Sequence, residues 1–132
     1  MDTIFTKIIK GEIPCYKIAE DDRFFAFLDI HPLMEGHTLV IPKLQEDYIF
    51  NLPDSMLADM MVFAKKVAKA IQENIPCTKI GVAVIGLEVP HAHIHLVPLR
   101  KEGDLNFANP KLQLNEQQFQ TIAEKISKSV QL

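Results

Sequence analysis

Apolar and polar positions follow two rhythms along this chain. Ile4, Phe5, Ile8 and Ile9 recur at helical spacing, and Gly11 followed by Pro14 stops them, which predicts a short N-terminal helix. Tyr16 to Glu20 and Phe24 to Asp29 read as two short strands joined by Asp21 and Asp22. A loop from His31 to Gly36 carries Pro32, and His37 to Ile41 reads as a third strand ended by Pro42. The longest helix is expected after Pro53, capped by Asp54, with Met56, Leu57, Met60, Met61, Ala64, Val67, Ala68 and Ile71 as its apolar stripe and Pro76 as its stop. Lys79 to Ile85 and Ala92 to Pro98 read as a fourth and a fifth strand, with Gly86 and Pro90 in the turn between them. A last helix begins at Asn115, whose capping-box partner is Gln118, and buries Phe119, Ile122, Ala123, Ile126 and Val130. Strands joined by short turns and interrupted by one long helix imply an α+β fold with an antiparallel sheet. The chain reads as one domain over residues 1–132, with a C-terminal helical extension from about 110.

Composition narrows the function classes. The chain has 132 residues, 48% of them apolar and 23% charged, enough for a continuous core and too apolar for a disordered chain. Fourteen basic against 17 acidic residues give a net charge of −3, and no basic cluster exceeds a pair such as Lys65-Lys66, so a nucleic-acid partner is not expected. No apolar run approaches the ~18 residues of a membrane span, and the N-terminal stretch lacks the apolar region of a signal peptide. These features point to a cytoplasmic protein with no membrane partner. Cys15 and Cys77 lie far apart without metal-ligand spacing, and read as plain thiols.

The chemistry concentrates in His91-Ala-His93-Ile-His95-Leu-Val-Pro98, which holds three of the five histidines. In a strand these three side chains share one face, while Ala92, Ile94 and Leu96 take the other. Three neighbouring imidazoles buried only as core would be expensive to desolvate. A metal site is one reading, but at a rise of about 3.3 Å per residue His91 and His95 lie about 13 Å apart along the strand, too far to share one ion. The favoured reading is nucleophilic catalysis by the middle histidine, with its neighbours fixing the tautomer and binding an anion. An imidazole attacks through one nitrogen only when the other carries the proton and is held.

The segment Gly86-Leu-Glu-Val-Pro-His91-Ala-His93-Ile-His95-Leu-Val-Pro98 resembles the signature of the histidine triad (HIT) family. Asp2 to Pro14 resembles the N-terminal turn of its Hint-like branch, and Glu20 to Ile30 with Gly36 to Lys43 resembles that branch's central strands. The resemblance runs from about residue 2 to 100. It implies a HIT-like fold with a five-stranded sheet, and a homodimer whose two sheets join into one. It implies hydrolysis or transfer at the α-phosphate of a purine nucleotide, as in nucleoside 5′-phosphoramidates or related adenylates, without a cofactor. His93 would attack phosphorus and form a nucleotidyl-histidine intermediate. His91 would orient His93 through its backbone carbonyl, and His95 and His37 would complete the network. Asp29 would hold the ribose hydroxyls, and Ile4, Phe5, Ile8, Phe27 and Ile30 would wall the nucleoside pocket. Backbone N–H groups of the Gly86 to Val89 turn could cradle phosphate oxygens.

The chain departs from the family's pattern in two places. Many bacterial members carry zinc on two cysteines of the first turn, a histidine after the Ile-Pro-Lys stretch and the first triad histidine; here those positions read Thr3, Thr6, Gln45 and His91, so no structural zinc is expected. Before the triad, where the family places Gln and then Ser or Thr, this chain has Leu87 and Glu88, and no Asn precedes the turn. Glu88 is read as a proton donor to the leaving group or as a contact for a cationic one, against a plain solvated acid. A dinucleoside polyphosphate hydrolase or nucleotidyl transferase, and a nucleotide-binding module with weakened catalysis, are the competing readings. Glu102 to Leu132 lies beyond the resemblance; Asp104, Asn106 and Asn109 are its candidate substrate contacts.

Overall fold

A computed structural model describes residues 1–132. Five strands form one antiparallel sheet in the order β1-β2-β3-β5-β4: β1 Lys17–Glu20, β2 Phe24–Leu28, β3 Thr38–Pro42, β4 Lys79–Ala83 and β5 Ile94–Leu99. Helix α1 spans Ile4–Ile9, α2 Asp54–Asn74 and α3 Glu116–Ser129, and two short 3-10 turns lie at Ile49–Asn51 and Glu102–Leu105. None of the helices is long and apolar enough to cross a membrane.

Both central strands are buried on both faces, and side-chain parity sorts them into two clusters. Phe24, Ala26, Leu28, Val40, Ile94 and Leu96 face α2 and α3, which contribute Met60, Phe63, Val67, Ile71, Phe119 and Ile126. Phe25, Phe27, Leu39 and Ile41 face the other way and pack on Phe5 and Ile8 of α1. This continuous apolar run of β2, from Phe24 to Leu28, follows from its place inside a sheet covered on both sides.

Several boundaries differ from the sequence reading. Asp54 is the first residue of α2 rather than its cap; Pro53 takes the cap position and offers no side-chain hydrogen bond. Met61 is 49% exposed, whereas Phe63 and Ala70 are buried, because the buried face of α2 is rotated toward α3 as well as the sheet. Strand β4 ends at Ala83, two residues early, and β5 begins at Ile94, so His91 and His93 precede it. The register Leu39↔His95 and Val40↔Ile94 shows where β5 joins β3. Gly36 adopts φ +89°, and an added Cβ would lie 2.9 Å from Cγ1 of Ile75, so only glycine fits the turn that leads into His37.

Candidate active site

Sheet parity gathers the polar residues on the α1 side. Asp29 follows β2 in step with Phe25 and Phe27, His37 precedes β3 in step with Leu39 and Ile41, and His95 lies opposite Leu39. Ala92 packs in the helix-side cluster with Ile94 and Leu96, so the alternation extends upstream of β5 and turns His91 and His93 toward α1. Phe5 of α1 meets both rings edge-on, at 5.8 Å from His91 and 5.1 Å from His93.

Three backbone groups with only one possible role, the N–H of Leu33 and the carbonyls of Pro42 and His91, assign the protons of four histidines. The N–H of Leu33 donates to Nδ1 of His37 at 3.0 Å, so the proton of His37 sits on Nε2. That Nε2–H lies 3.0 Å from Nδ1 of His95 and donates to it, which leaves the His95 proton on Nε2. The second chain starts at the carbonyl of Pro42, which accepts from Nε2 of His91 at 2.8 Å. Nδ1 of His91 therefore accepts, and Oγ1 of Thr3 donates to it at 2.8 Å. Nδ1 of His93 donates to the His91 carbonyl at 2.7 Å. Nε2 of His93 is left with a bare lone pair, the state in which an imidazole is a nucleophile.

Burial favours the neutral form of His37, His91 and His95. Desolvation, then the neighbouring His95 and Lys111, pushes His37 down to about 3. Desolvation, with the nearby His93, takes His95 to about 4. His91 is also lowered by burial, partly opposed by the Pro42 carbonyl. Asp29 is raised by burial against the pull of the His31 amide and nearby cations, and one of its oxygens lies 3.6 Å from Nε2 of His37. Asp29, His37 and His95 each bring a potential ligand atom within 4.8 Å of one another, though the His37–His95 pair is already occupied by its own hydrogen bond.

A pocket of about 570 Å³ opens over this cluster. Ile4, Phe5, Ile8, Phe27 and Ile30 form apolar wall, Asp29, His37, His93 and His95 form its floor, and Gly86 to Val89 form one rim. Gly86 holds φ +67°, which bends that rim. A cavity of this size with few converging polar groups suits a small-molecule ligand.

The family model described as HIT domain matches residues 10–102. The chain belongs to the HIT family. It is 37% identical to the adenosine 5′-monophosphoramidase of Schizosaccharomyces pombe, over 98% of this chain and 99% of that protein. It is 36% identical to an uncharacterised HIT-like protein of Borreliella burgdorferi, over 98% of this chain and 99% of the relative. The crystal structure of a HIT-like protein of Bartonella henselae superposes with a TM-score of 0.83 at 28% identity, covering 97% of this chain and 96% of the other. The five-stranded α+β arrangement is thus the HIT fold.

Against that family background, most of the residues singled out in the sequence come together. Ile4 and Ile30 are half exposed at the mouth of the pocket. Glu88 is exposed on the rim and Leu87 is 88% exposed beside it. His91 stands apart: its ring turns to Thr3 and Pro42 and does not line the pocket. The candidates from the tail do not line the pocket and hold turns: Asp104 accepts from the amides of Arg100 and Lys101, Asn106 from that of Ala108, and Asn109 donates to the Gly103 carbonyl. Instead the tail contributes Phe107, whose ring lies 4.8 Å from His95, and Lys111, both on the pocket. His31, to which the sequence assigned no role, also reaches the rim. No periodicity marks Phe107 or Lys111, since both lie in irregular chain. The zinc positions of the family do not fit a zinc ion here. Thr3, Thr6 and Gln45 offer only oxygen and amide donors bonded to one another, and both ring nitrogens of His91 are engaged.

Proposed function

We propose that this chain hydrolyses nucleoside 5′-phosphoramidates or related adenylates at the α-phosphorus, through a covalent nucleotidyl intermediate on His93. The observation that carries this reading is the bare Nε2 of His93, fixed by the donation of Nδ1–H to the His91 carbonyl. The lone pair attacks phosphorus, and the P–N bond to the leaving amine breaks as the amine takes up a proton at the solvent-open rim. Water then attacks phosphorus and gives up a proton to solvent, the P–N bond to His93 breaks with its electron pair returning to Nε2, and the nucleoside monophosphate is released. Nε2–H of His95 is the donor for a phosphoryl oxygen, oriented by His37 behind it. The N–H groups of residues 86–89 donate to no backbone carbonyl of the chain and are free to bind phosphate. Asp29 takes the ribose hydroxyls, and Phe5, Phe27, Ile4, Ile8 and Ile30 take a purine base. Glu88, at the rim, serves the leaving group, as proton donor or as partner to a cationic amine. The S. pombe relative is named an adenosine 5′-monophosphoramidase, which supports a phosphoramidate substrate.

The active form in this reading is a homodimer, supported by the unpaired outer edge of β4 and its exposed apolar residues. A dinucleoside polyphosphate is the second reading, favoured by Lys111 on the pocket wall: its ammonium donates to the Phe107 and Asn109 carbonyls at 2.6 and 3.0 Å, which leaves one N–H for a further phosphate. Release of AMP from adenosine 5′-phosphoramidate and from diadenosine polyphosphates tests both. Wild-type turnover with loss of at least about 1,000-fold in His93→Ala is expected, in line with removal of a nucleophile. Equal activity in the variant overturns the covalent route, and faster turnover of the polyphosphates selects the second reading.

A further inference from the structure

Outside the pocket, one buried polar cluster is not used by the chemistry proposed above, and it touches the triad. Thr3 is 7% exposed and His91 is fully buried. Thr3 is the N-cap of α1: its Oγ1 accepts from the N–H of Thr6 at 3.1 Å. With that lone pair engaged, the hydroxyl proton remains to be placed. The hydroxyl of Thr6 donates to Oε1 of Gln45 at 2.6 Å, so Thr6 does not need Thr3 as an acceptor. Oε1 of Gln45 also accepts from the N–H of Thr3 at 3.2 Å, and Nε2 of Gln45 donates to the Met1 carbonyl at 2.7 Å. Every donor then has one acceptor if the Thr3 hydroxyl donates to Nδ1 of His91, 2.8 Å away. No buried side-chain nitrogen or oxygen of the chain lacks a partner.

We propose that Thr3 is a positioning residue for the triad: its hydroxyl holds His91 as the Nε2–H tautomer, anchored on Pro42, and thereby aims the His91 carbonyl that keeps His93 ready to attack. Thr3, Thr6 and Gln45 form a metal-free staple that ties the first turn of α1 and the segment after β3 to the triad. The same turn carries Ile4 and Phe5, so the staple also sets the pocket wall against the nucleophile. The chain of contacts runs from Thr3 to Nδ1 of His91, from Nε2 of His91 to Pro42, and from the His91 carbonyl to Nδ1 of His93. The step has a simple physical basis. A ring anchored at both nitrogens cannot rotate or swap its proton, and the carbonyl of the same residue inherits that fixity.

The inference rests on the role proposed for His93, and its test has a readout that does not. Three variants of the full chain separate the possibilities. Thr3→Ser keeps both cap and proton donor. Thr3→Asp keeps the cap acceptor but cannot donate when ionised, and Thr3→Val loses both. Nitrogen-15 NMR of the histidine rings reads the His91 tautomer directly. The wild type and Thr3→Ser are expected to show Nε2–H with a bare Nδ1, and Thr3→Asp a protonated Nδ1. In turnover of adenosine 5′-phosphoramidate, Thr3→Asp and Thr3→Val are expected to lose about 10-fold or more in kcat with KM changed less than about 3-fold, while Thr3→Ser stays near wild type. A role confined to capping would lower Tm in Thr3→Val alone and leave kcat and the tautomer of Thr3→Asp unchanged; that result overturns the proposal. A wild-type His91 carrying its proton on Nδ1 overturns it as well, whatever the activity. Loss of turnover in every protein, wild type included, would instead count against the proposed reaction, and the NMR result would still decide the role of Thr3.

Discussion

His37 and His95 are 1% and 8% exposed, and their side chains are held neutral first by burial and then by neighbouring groups, His95 and Lys111 for His37 and His93 for His95. In the unfolded chain both rings return to a pKa of about 6.5. Their folded values are about 3 and about 4, so between these and about 6.5 the unfolded state binds more protons. Stability from this pair is therefore fully present above about pH 6.5 and is lost as the pH falls. Denaturant unfolding is expected to show a loss on the order of 2 kcal/mol per ring between pH 7 and pH 5. Asp29 acts in the opposite sense, because a raised carboxyl pKa favours the folded state as pH falls, and it softens the loss at the acid end. Equal unfolding free energies at pH 5 and pH 7 would mean that the rings are hydrated and charged in the native state. At this scale the sequence named the four histidines but not their tautomers. The His91 carbonyl that sets His93 was expected from the resemblance; the other three rings are decided by the N–H of Leu33 and the carbonyl of Pro42, backbone groups that no residue pattern identifies.

Among the elements, legibility depended on whether the deciding signal is local. Helix α3 was readable because its start is written in side chains: Asn115 accepts from the N–H of Gln118, and Gln118 accepts from the N–H of Asn115, both at 2.8 Å. Replacing Asn115 with Ala removes the reciprocal pair and is expected to cost about 1 kcal/mol. The loss should appear as a lower unfolding midpoint in urea with an unchanged m-value, and an unchanged midpoint would show that packing alone sets the end of α3. That packing is substantial, since Phe119 stacks on Tyr16 at 4.9 Å and Ile126 is fully buried. The start of α2 was misread because Asp54 is a common cap residue, yet the structure makes no capping bond there. The start of β5 was misread for a tertiary reason. His91 and Ala92 are held by Thr3, Pro42 and the Glu46 carbonyl rather than by ladder partners, although their side chains keep the strand's alternation. Phe107 and Lys111 were invisible because their importance comes from where the tail folds. The N–H of Leu112 donates to the Pro32 carbonyl and lays the segment over the loop that precedes His37.

In the molecule as a whole, the sheet ends unequally. Strand β1 at one edge is rich in charge, with Lys17 and Glu20 paired to each other and Lys43 joined to Glu20. Strand β4 at the other edge exposes Val82, and the chain beyond it exposes Val84 and Ile85, with Met61 and Val62 of α2 also open to solvent. An apolar strand edge left open is a template for pairing with another chain unless it is covered. In the proposed homodimer a second copy would cover it by adding its own β4, joining the two sheets. Ile85, Gly86, Leu87 and Glu88 belong both to the chain leaving this edge and to the rim of the pocket, so assembly and catalysis are coupled in the proposed function. Val82→Arg puts a charge at the edge, at a residue that does not line the pocket. It is expected to convert a dimer into a monomer at about 10 μM in sedimentation velocity, since like charges at a symmetric contact face each other. Turnover of adenosine 5′-phosphoramidate should fall with it, because the rim then loses the support of the partner. A wild-type protein that sediments as a monomer at that concentration would overturn the dimer. A dimeric Val82→Arg would place the interface on some other surface and leave the exposed edge of β4 without an explanation.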